Sequence, residues 1–234
     1  MADKIIRGNS NDGAIRIFMA ETTELVNVAR QMHNTYPIAT AALGRLLTAA
    51  SIMGSMLKSP TDTITLQIKG DGPLGGVMAI GNAKAQVKGY VINPKVVLKS
   101  KAEGKLNVGD AVGKGALAVI RDFGLKEPYV AHMPLVTGEI AEDLTAYYAS
   151  SEQIPTSVAL GVLVDTDGSV IKAGGFILQL MPEATEDDAI KLEQILAQLP
   201  PITAMLNNGL SCEEIVIEAT NGFDMLIYNN ETVI

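Results

Sequence analysis

Two histidines, one cysteine and a scatter of hydroxyl side chains are the residues of this chain that could serve as base, nucleophile or metal ligand. His33 and His132 stand in unrelated contexts, and neither sits in a zinc-ligand spacing. Each reads as a surface or strand-end residue rather than a general base. "SEQIPTS" holds Ser151, Thr156 and Ser157, but no nucleophile-elbow pattern frames them. Cys212 falls at the first position of a predicted helix, where the helix dipole could lower its pKa. Nothing positive lies beside it in sequence, so it reads as an incidental small residue in a surface helix rather than a reactive thiol. "GDGPLGG" (Gly70–Gly76) lacks the G-x-x-x-x-G-K-[ST] of a phosphate loop and reads as a tight turn. "AGGF" (Ala173–Phe176) lies inside a strand pattern, where glycines mark close backbone approach or a bulge. Arg45 is the one charge in a twenty-residue apolar run. It is either an anion-binding residue in a cleft or half of a structural ion pair. The pair is the expectation, because core charges persist only when partnered. No catalytic, cofactor-binding or metal-ligating residue emerges, and the expectation is a protein that is not an enzyme.

The elements that would carry these residues can be read from periodicity. Ile38–Leu57, "IATAALGRLLTAASIMGSML", is as long as a membrane span. Arg45, the abundance of Ala, Gly, Ser and Thr, and the lack of an aromatic belt argue instead for a helix buried on all sides, with no membrane partner. Alternating runs predict strands at Ala14–Ala20, Thr63–Lys69, Gly76–Ile80, Ala85–Ile92, Ala116–Arg121, Tyr129–Leu135, Val158–Val164 and Val170–Leu180. "GDGPLGG" and "DTDG" (Asp165–Gly168) suit hairpin connections. Helical patterns fall at Thr22–His33, Pro37–Leu57 and Ile140–Ser150. Strands in blocks with helices inserted between them predict an α+β fold, with mainly antiparallel sheets packed around the long buried helix.

The texture changes at Met181, which divides the chain into a core domain, 1–180, and a helical linker region, 181–234. Thr185 and Asp188 have capping-box spacing, and Leu192, Ile195, Leu196 and Leu199 form an apolar stripe behind them. Pro200 and Pro201 stop that helix. Ile202–Asn208 is a short helical piece ending at Gly209. Ser211 and Glu214 start another, with Leu210 and Ile215 as a hydrophobic staple. These stripes can be buried only against the core or a second chain.

Composition removes several classes. The 234 residues carry a net charge of −8 and 4% aromatics, with no basic stripe, which excludes nucleic acid as a partner on charge grounds. One cysteine allows neither an internal disulfide framework nor a cysteine-based metal site. The N-terminus has no apolar signal core, and a cytoplasmic protein is expected.

Five segments occur together and in order: "ALGRLLTAASIMGSMLK" (Ala42–Lys58), "GDGPLGG", "GYVINP" (Gly89–Pro94), "SEQIPTSVALGVLV" (Ser151–Val164) and "AGGFILQLMP" (Ala173–Pro182). As a set they resemble the bacterial thirty-three-kilodalton heat-shock chaperonin family of redox-regulated holdases. The resemblance implies an ATP-independent chaperone that binds unfolding client proteins under oxidative or heat stress. It also implies a homodimer, with segment exchange between protomers left open. In that family a C-terminal module binds zinc through four cysteines. Oxidation releases the zinc, forms two disulfides and unfolds the module and the linker. None of those cysteines is among these 234 residues, and Cys212 matches none of them. The expectation is that fold and holdase class carry over while the zinc site and disulfide switch do not, so that this chain holds no cofactor. The candidate client-binding residues are Leu192, Ile195, Leu196, Leu199, Met205 and Leu206, with methionine suited to varied clients. In a resting structure most of them should pack on the core. An enzyme with an unrecognised cleft and a non-catalytic interaction domain stand as the alternatives.

Overall fold

The computed structural model describes residues 3–99 and 106–233. Its strands are β1 (Lys4–Ser10), β2 (Ile15–Glu21), β3 (Thr63–Gly70), β4 (Val77–Asn82), β5 (Val87–Val91), β6 (Gly115–Asp122), β7 (Tyr129–Pro134), β8 (Thr156–Val164), β9 (Val170–Leu180) and β10 (Met225–Val233). Its helices are α1 (Thr23–His33), α2 (Pro37–Ser55), α3 (Val108–Val112), α4 (Ala141–Tyr147), α5 (Glu186–Gln198), α6 (Ile202–Asn207) and α7 (Cys212–Ala219). A π-helical turn, Tyr148–Glu152, extends α4. The strands form two antiparallel sheets, ordered β10-β1-β2-β9-β8 and β5-β4-β3-β6-β7. The fold is therefore α+β, as the blocks of alternation imply.

Helix α2 lies between the two sheets. Of its 19 residues all but Pro37 and Arg45 are buried. By length and composition it could cross a membrane, but both sheets cover it instead. The small residues explain how. A Cβ on Gly44 would sit 2.6 Å from Val26 Cγ1 and 2.8 Å from Val162 Cγ2, so α1 and β8 both approach there. A Cβ on Gly54 would sit 2.5 Å from the Asn82 carbonyl oxygen. Only helices built from such residues admit backbone on several sides. Thr48 satisfies its hydroxyl within the core through Gly44 O (2.9 Å) and Thr22 Oγ1 (2.7 Å). The helix ends at Ser55, two residues earlier than the apolar run.

The other face of the first sheet carries a second, separate apolar cluster. Ile6, Ile15, Ile17, Met19, Phe176 and Leu178 of the strands meet Leu192 of α5, Ile202, Met205 and Leu206 of α6, and Ile215, Val216 and Ala219 of α7. This sheet is thus covered on both sides. β1 escaped the pattern because only Ile5 and Ile6 are large and apolar there: its next buried positions are Gly8 and Ser10, between exposed Arg7 and Asn9. The linker region also ends differently from the all-helical expectation. After α7 the chain enters β10, which pairs antiparallel with β1 along its length. Its polar "NNET" stretch hid the strand, since an edge strand needs little apolar sequence.

The expected turns lie where the spacing puts them. "GDGPLGG" joins β3 to β4, with Gly72 N and Leu74 N donating to Val112 O and Ala111 O of α3 (both 2.9 Å) and Gly75 at φ +71°. "DTDG" closes β8 to β9, with Gly168 at φ +85°.

Candidate functional site

Among the described residues the hydroxyls, histidines and thiol are not assembled into a reacting cluster. His33 ends α1, and His132 is exposed on β7 opposite Ala118. Thr156 Oγ1 donates to Ile154 O (2.9 Å) and accepts from Gln179 Nε2 (3.2 Å), which uses it structurally. Cys212 lies at the start of α7 behind the Ser211 cap, as read, yet its thiol is fully buried. Burial pushes its pKa up to about 12, outweighing the attraction of Lys4, so the helix dipole does not make it a thiolate. Among the described residues no three His, Cys, Asp or Glu side chains gather as a metal site. The residues present do not fit a zinc ion.

Arg45 lies on the flank of α2 with its side chain 14% exposed. Its Nη1 donates to Glu139 Oε2 (2.7 Å) and to Glu139 O (3.2 Å). Glu139 Oε1 in turn accepts from Gly109 N of α3 (3.2 Å). The arginine thus ties α2 to the loop before α4 and to α3. This is a structural arrangement rather than an anion-binding cleft.

The six apolar residues of the linker stripe are brought together, but to different depths. Leu192, Met205 and Leu206 are buried in the second cluster. Leu196 and Leu199 are half-buried against it, and Ile195 is half-buried outside it. Two capping boxes define the helix starts. Thr185 and Asp188 exchange bonds at α5 (Thr185 N to Asp188 Oδ2, 2.9 Å), and Ser211 and Glu214 do so at α7 (Ser211 N to Glu214 Oε2, 2.8 Å). Each cap satisfies backbone donors that a helix start leaves open.

What receives α6 was not legible as a site. Gly161 of β8 and Gly174 of β9 are register partners and make a shallow notch in the sheet. A Cβ on Gly161 would sit 2.6 Å from Thr203 Cγ2 and 2.7 Å from Ile202 Cγ2. One on Gly174 would sit 2.8 Å from Leu206 Cδ1. "AGGF" therefore marks close approach, as its place in a strand suggests, and the approaching element is α6. The signal was present in two glycines 13 residues apart, and only the β8–β9 register pairs them.

Two polar ties flank the stripe. Lys4 Nζ pairs with Glu213 (2.9 Å), joining β1 to α7. Lys191 Nζ lies 4.2 Å from the Phe223 ring centroid, joining α5 to the turn before β10. The tie that holds most surface is apolar burial itself.

The fold is built on packed apolar layers, with an apolar stripe of α5 and α6 docked on the first sheet. The model of the Hsp33 protein family matches residues 3–234. The chain belongs to the Hsp33 family, a family of chaperones. It is similar to the 33 kDa chaperonin of Desulforamulus reducens, with 50% identity over 233 residues, covering 100% of this chain and 79% of that protein. It is 52% identical over 234 residues to that of Clostridium perfringens, covering 99% of this chain and 74% of that one. The solved structure of the Thermotoga maritima 33 kDa chaperonin superposes with a TM-score of 0.90 at 37% identity. It covers 97% of this chain and 79% of that one.

Proposed function

We propose that this chain is an ATP-independent holdase whose client-binding surface is the apolar underside of α5 and α6, docked on the first sheet at rest. The observation that carries the reading is the glycine notch: α6 is seated by shape on Gly161 and Gly174. A six-residue helix has almost no stability of its own, so its place depends on that contact. Lifting it would bare Ile202, Met205, Leu206 and Leu192 together, an adaptable surface with methionine in it. The reading includes residues 181–234 acting as a releasable region on the 1–180 core, unfolding proteins as partners in the cytoplasm, and a homodimer. Redox control through zinc is a property implied for longer relatives, and this chain's residues supply no ligand set for it. The test is suppression of light scattering by a heat-unfolding client without nucleotide. Unaltered client aggregation at a twofold excess of this chain would refute the reading, and saturable turnover of a small molecule would favour an enzyme instead.

A further inference from the structure

The helix-facing side of the first sheet continues past the end of α2. There it opens into a cleft of about 660 Å³. Arg7 of β1 marks the junction, since its Nη2 donates to Ser55 O, the last residue of α2, at 2.9 Å. Arg7 and Phe18 are register partners across β1 and β2, and Arg16 stands two residues before Phe18 on the same face. The two guanidinium carbons accordingly lie 5.7 and 5.9 Å from the centroid of one ring, within cation–π range.

Two like charges held against one ring are expected to have an anion nearby. Among the described residues neither arginine has a carboxylate partner. Arg7 spends one of its five N–H donors on Ser55 O, and Arg16 spends Nε–H on Gln179 Oε1 (2.8 Å). Arg7 is exposed and Arg16 half-buried, and Arg16 also borders a neighbouring pocket whose lining includes Asp62 and Glu152, the latter paired with Arg121. The chain as a whole carries −8, so this is not part of a general basic surface. At the rim, Asn11 Nδ2 engages Asp224 (2.6 Å), which places one carboxylate at the turn end of the cleft rather than between the arginines. The wall also includes polar Asn9 and Ser10, and on the edge strand β10 it presents Leu226 and Tyr228, 50% and 46% accessible.

We infer that this cleft binds a short acidic peptide segment in which an apolar side chain lies between carboxylates. The carboxylates would meet the free edges of Arg7 and Arg16 as charge-assisted pairs, and the apolar side chain would rest on Leu226 and Tyr228. Resting on the holdase reading, it gives that protein a second contact with clients, available while α5 and α6 stay docked.

The experiment is fluorescence anisotropy of a labelled Glu-Leu-Glu-Leu-Glu peptide added to the whole chain, beside its Gln-Leu-Gln-Leu-Gln counterpart. Saturable binding of the acidic peptide is expected, weakening as salt rises. Arg16→Gln should weaken it about tenfold or more, as loss of hydrogen bonds to a charged group does. Arg7→Lys keeps a donor for Ser55 O and serves as the second variant should Arg7→Gln disturb α2, and it should weaken binding through loss of the fork. Equal binding of the two peptides, or undiminished binding by a folded Arg7→Lys/Arg16→Gln protein, overturns the inference. If client aggregation is still suppressed when the peptide does not bind, the inference falls and the holdase reading stands. If the peptide binds and aggregation is not suppressed, the reverse holds.

Discussion

Replacing Gly161 with alanine should act as a wedge under α6. The added Cβ would lie 2.6 Å from Thr203 Cγ2 and 2.7 Å from Ile202 Cγ2, against an ordinary contact of 3.4–4 Å. Both atoms belong to β-branched side chains, which are stiff at χ1 and cannot swing aside. The helix itself must then rise by about 1 Å. Gly161 lies in β8 without a positive φ, so alanine costs no backbone strain there. Overpacking of this kind costs about 1–3 kcal/mol. If the cost falls on the docked state alone, the ratio of docked to released linker drops about fivefold to 150-fold. Gly174 is a poorer choice, because its Cβ would also strike the Ala20 carbonyl oxygen at 2.6 Å and damage the sheet. Hydrogen exchange should quicken over α5 and α6 and stay unchanged over α2, and light-scattering assays should show stronger holding of clients. Unchanged exchange in α5 and α6, with a lowered global denaturation midpoint, would mean that the sheet absorbs the wedge and the release argument is wrong.

Replacing Leu192, Ile195 and Leu199 together with serine should weaken client holding while circular dichroism still reports both sheets; undiminished holding would move the client surface elsewhere. Arg45→Ala should cost about 3 kcal/mol in urea denaturation, the lower end for a broken buried pair because Arg45 and Glu139 keep 14% and 13% exposure. Hydrogen bonds from Thr185 hold Asp188 below its ordinary value of 3.8, those from Ser211 hold Glu214 below 4.5, and Glu213, which burial pulls up, is carried below 4.5 by Lys4. A depressed folded pKa gives stability that is full above the unfolded value and lost as pH falls through the folded one. Protection of α5 and α7 should therefore fall below about pH 4 before that of α2 does, as read by pH-corrected exchange. Peroxide and chelator should leave holding unchanged, with Cys212→Ser matching the parent, because the thiol is buried and its pKa is raised to about 12.

The long helix was legible because an all-round apolar segment with glycine and alanine admits few other placements. The capping boxes at Thr185 and Ser211 were legible for the same local reason: each is a three-residue pattern with one geometry. The strands with large apolar residues at alternate positions, such as Thr63–Lys69, were legible, and β1 was not, because its buried positions after Ile6 are Gly8 and Ser10, which carry no apolar signal. The stripe Leu192–Leu206 was visible as apolar spacing, but its seat was not. Gly161 and Gly174 become one notch only through strand register, which is a tertiary fact. The arginines of the cleft were hidden likewise: Arg7 reaches Phe18 across a strand pair, and nothing in the run "KIIRGNS" announces it.

The arrangement of layers bears on how a binding protein can bare apolar surface without unfolding. The first sheet separates two clusters that do not merge: one shared with α1, α2 and the second sheet, the other with α5, α6 and α7. Ile5, Phe18, Ala20, Ala173 and Ile177 stay covered by the first cluster whatever happens on the far side. The strand ladder from β1 through β2 and β9 to β8 does not depend on α6, since its hydrogen bonds run within the sheet. β10, which lies beyond the helices in sequence, is hydrogen-bonded to β1, while its Met225 and Ile227 also pack against the second cluster. Release of α5 and α6 would therefore cost the burial of one cluster, while the other, with α2 at its centre, keeps the sheet in register. Local opening of that kind draws on the low-stability part of a structure and leaves the global free energy to the core. The glycine notch fits the same logic. On the proposed holdase reading, a helix seated by shape on bare backbone would gain enough to dock and little enough to be displaced by a client offering more apolar surface.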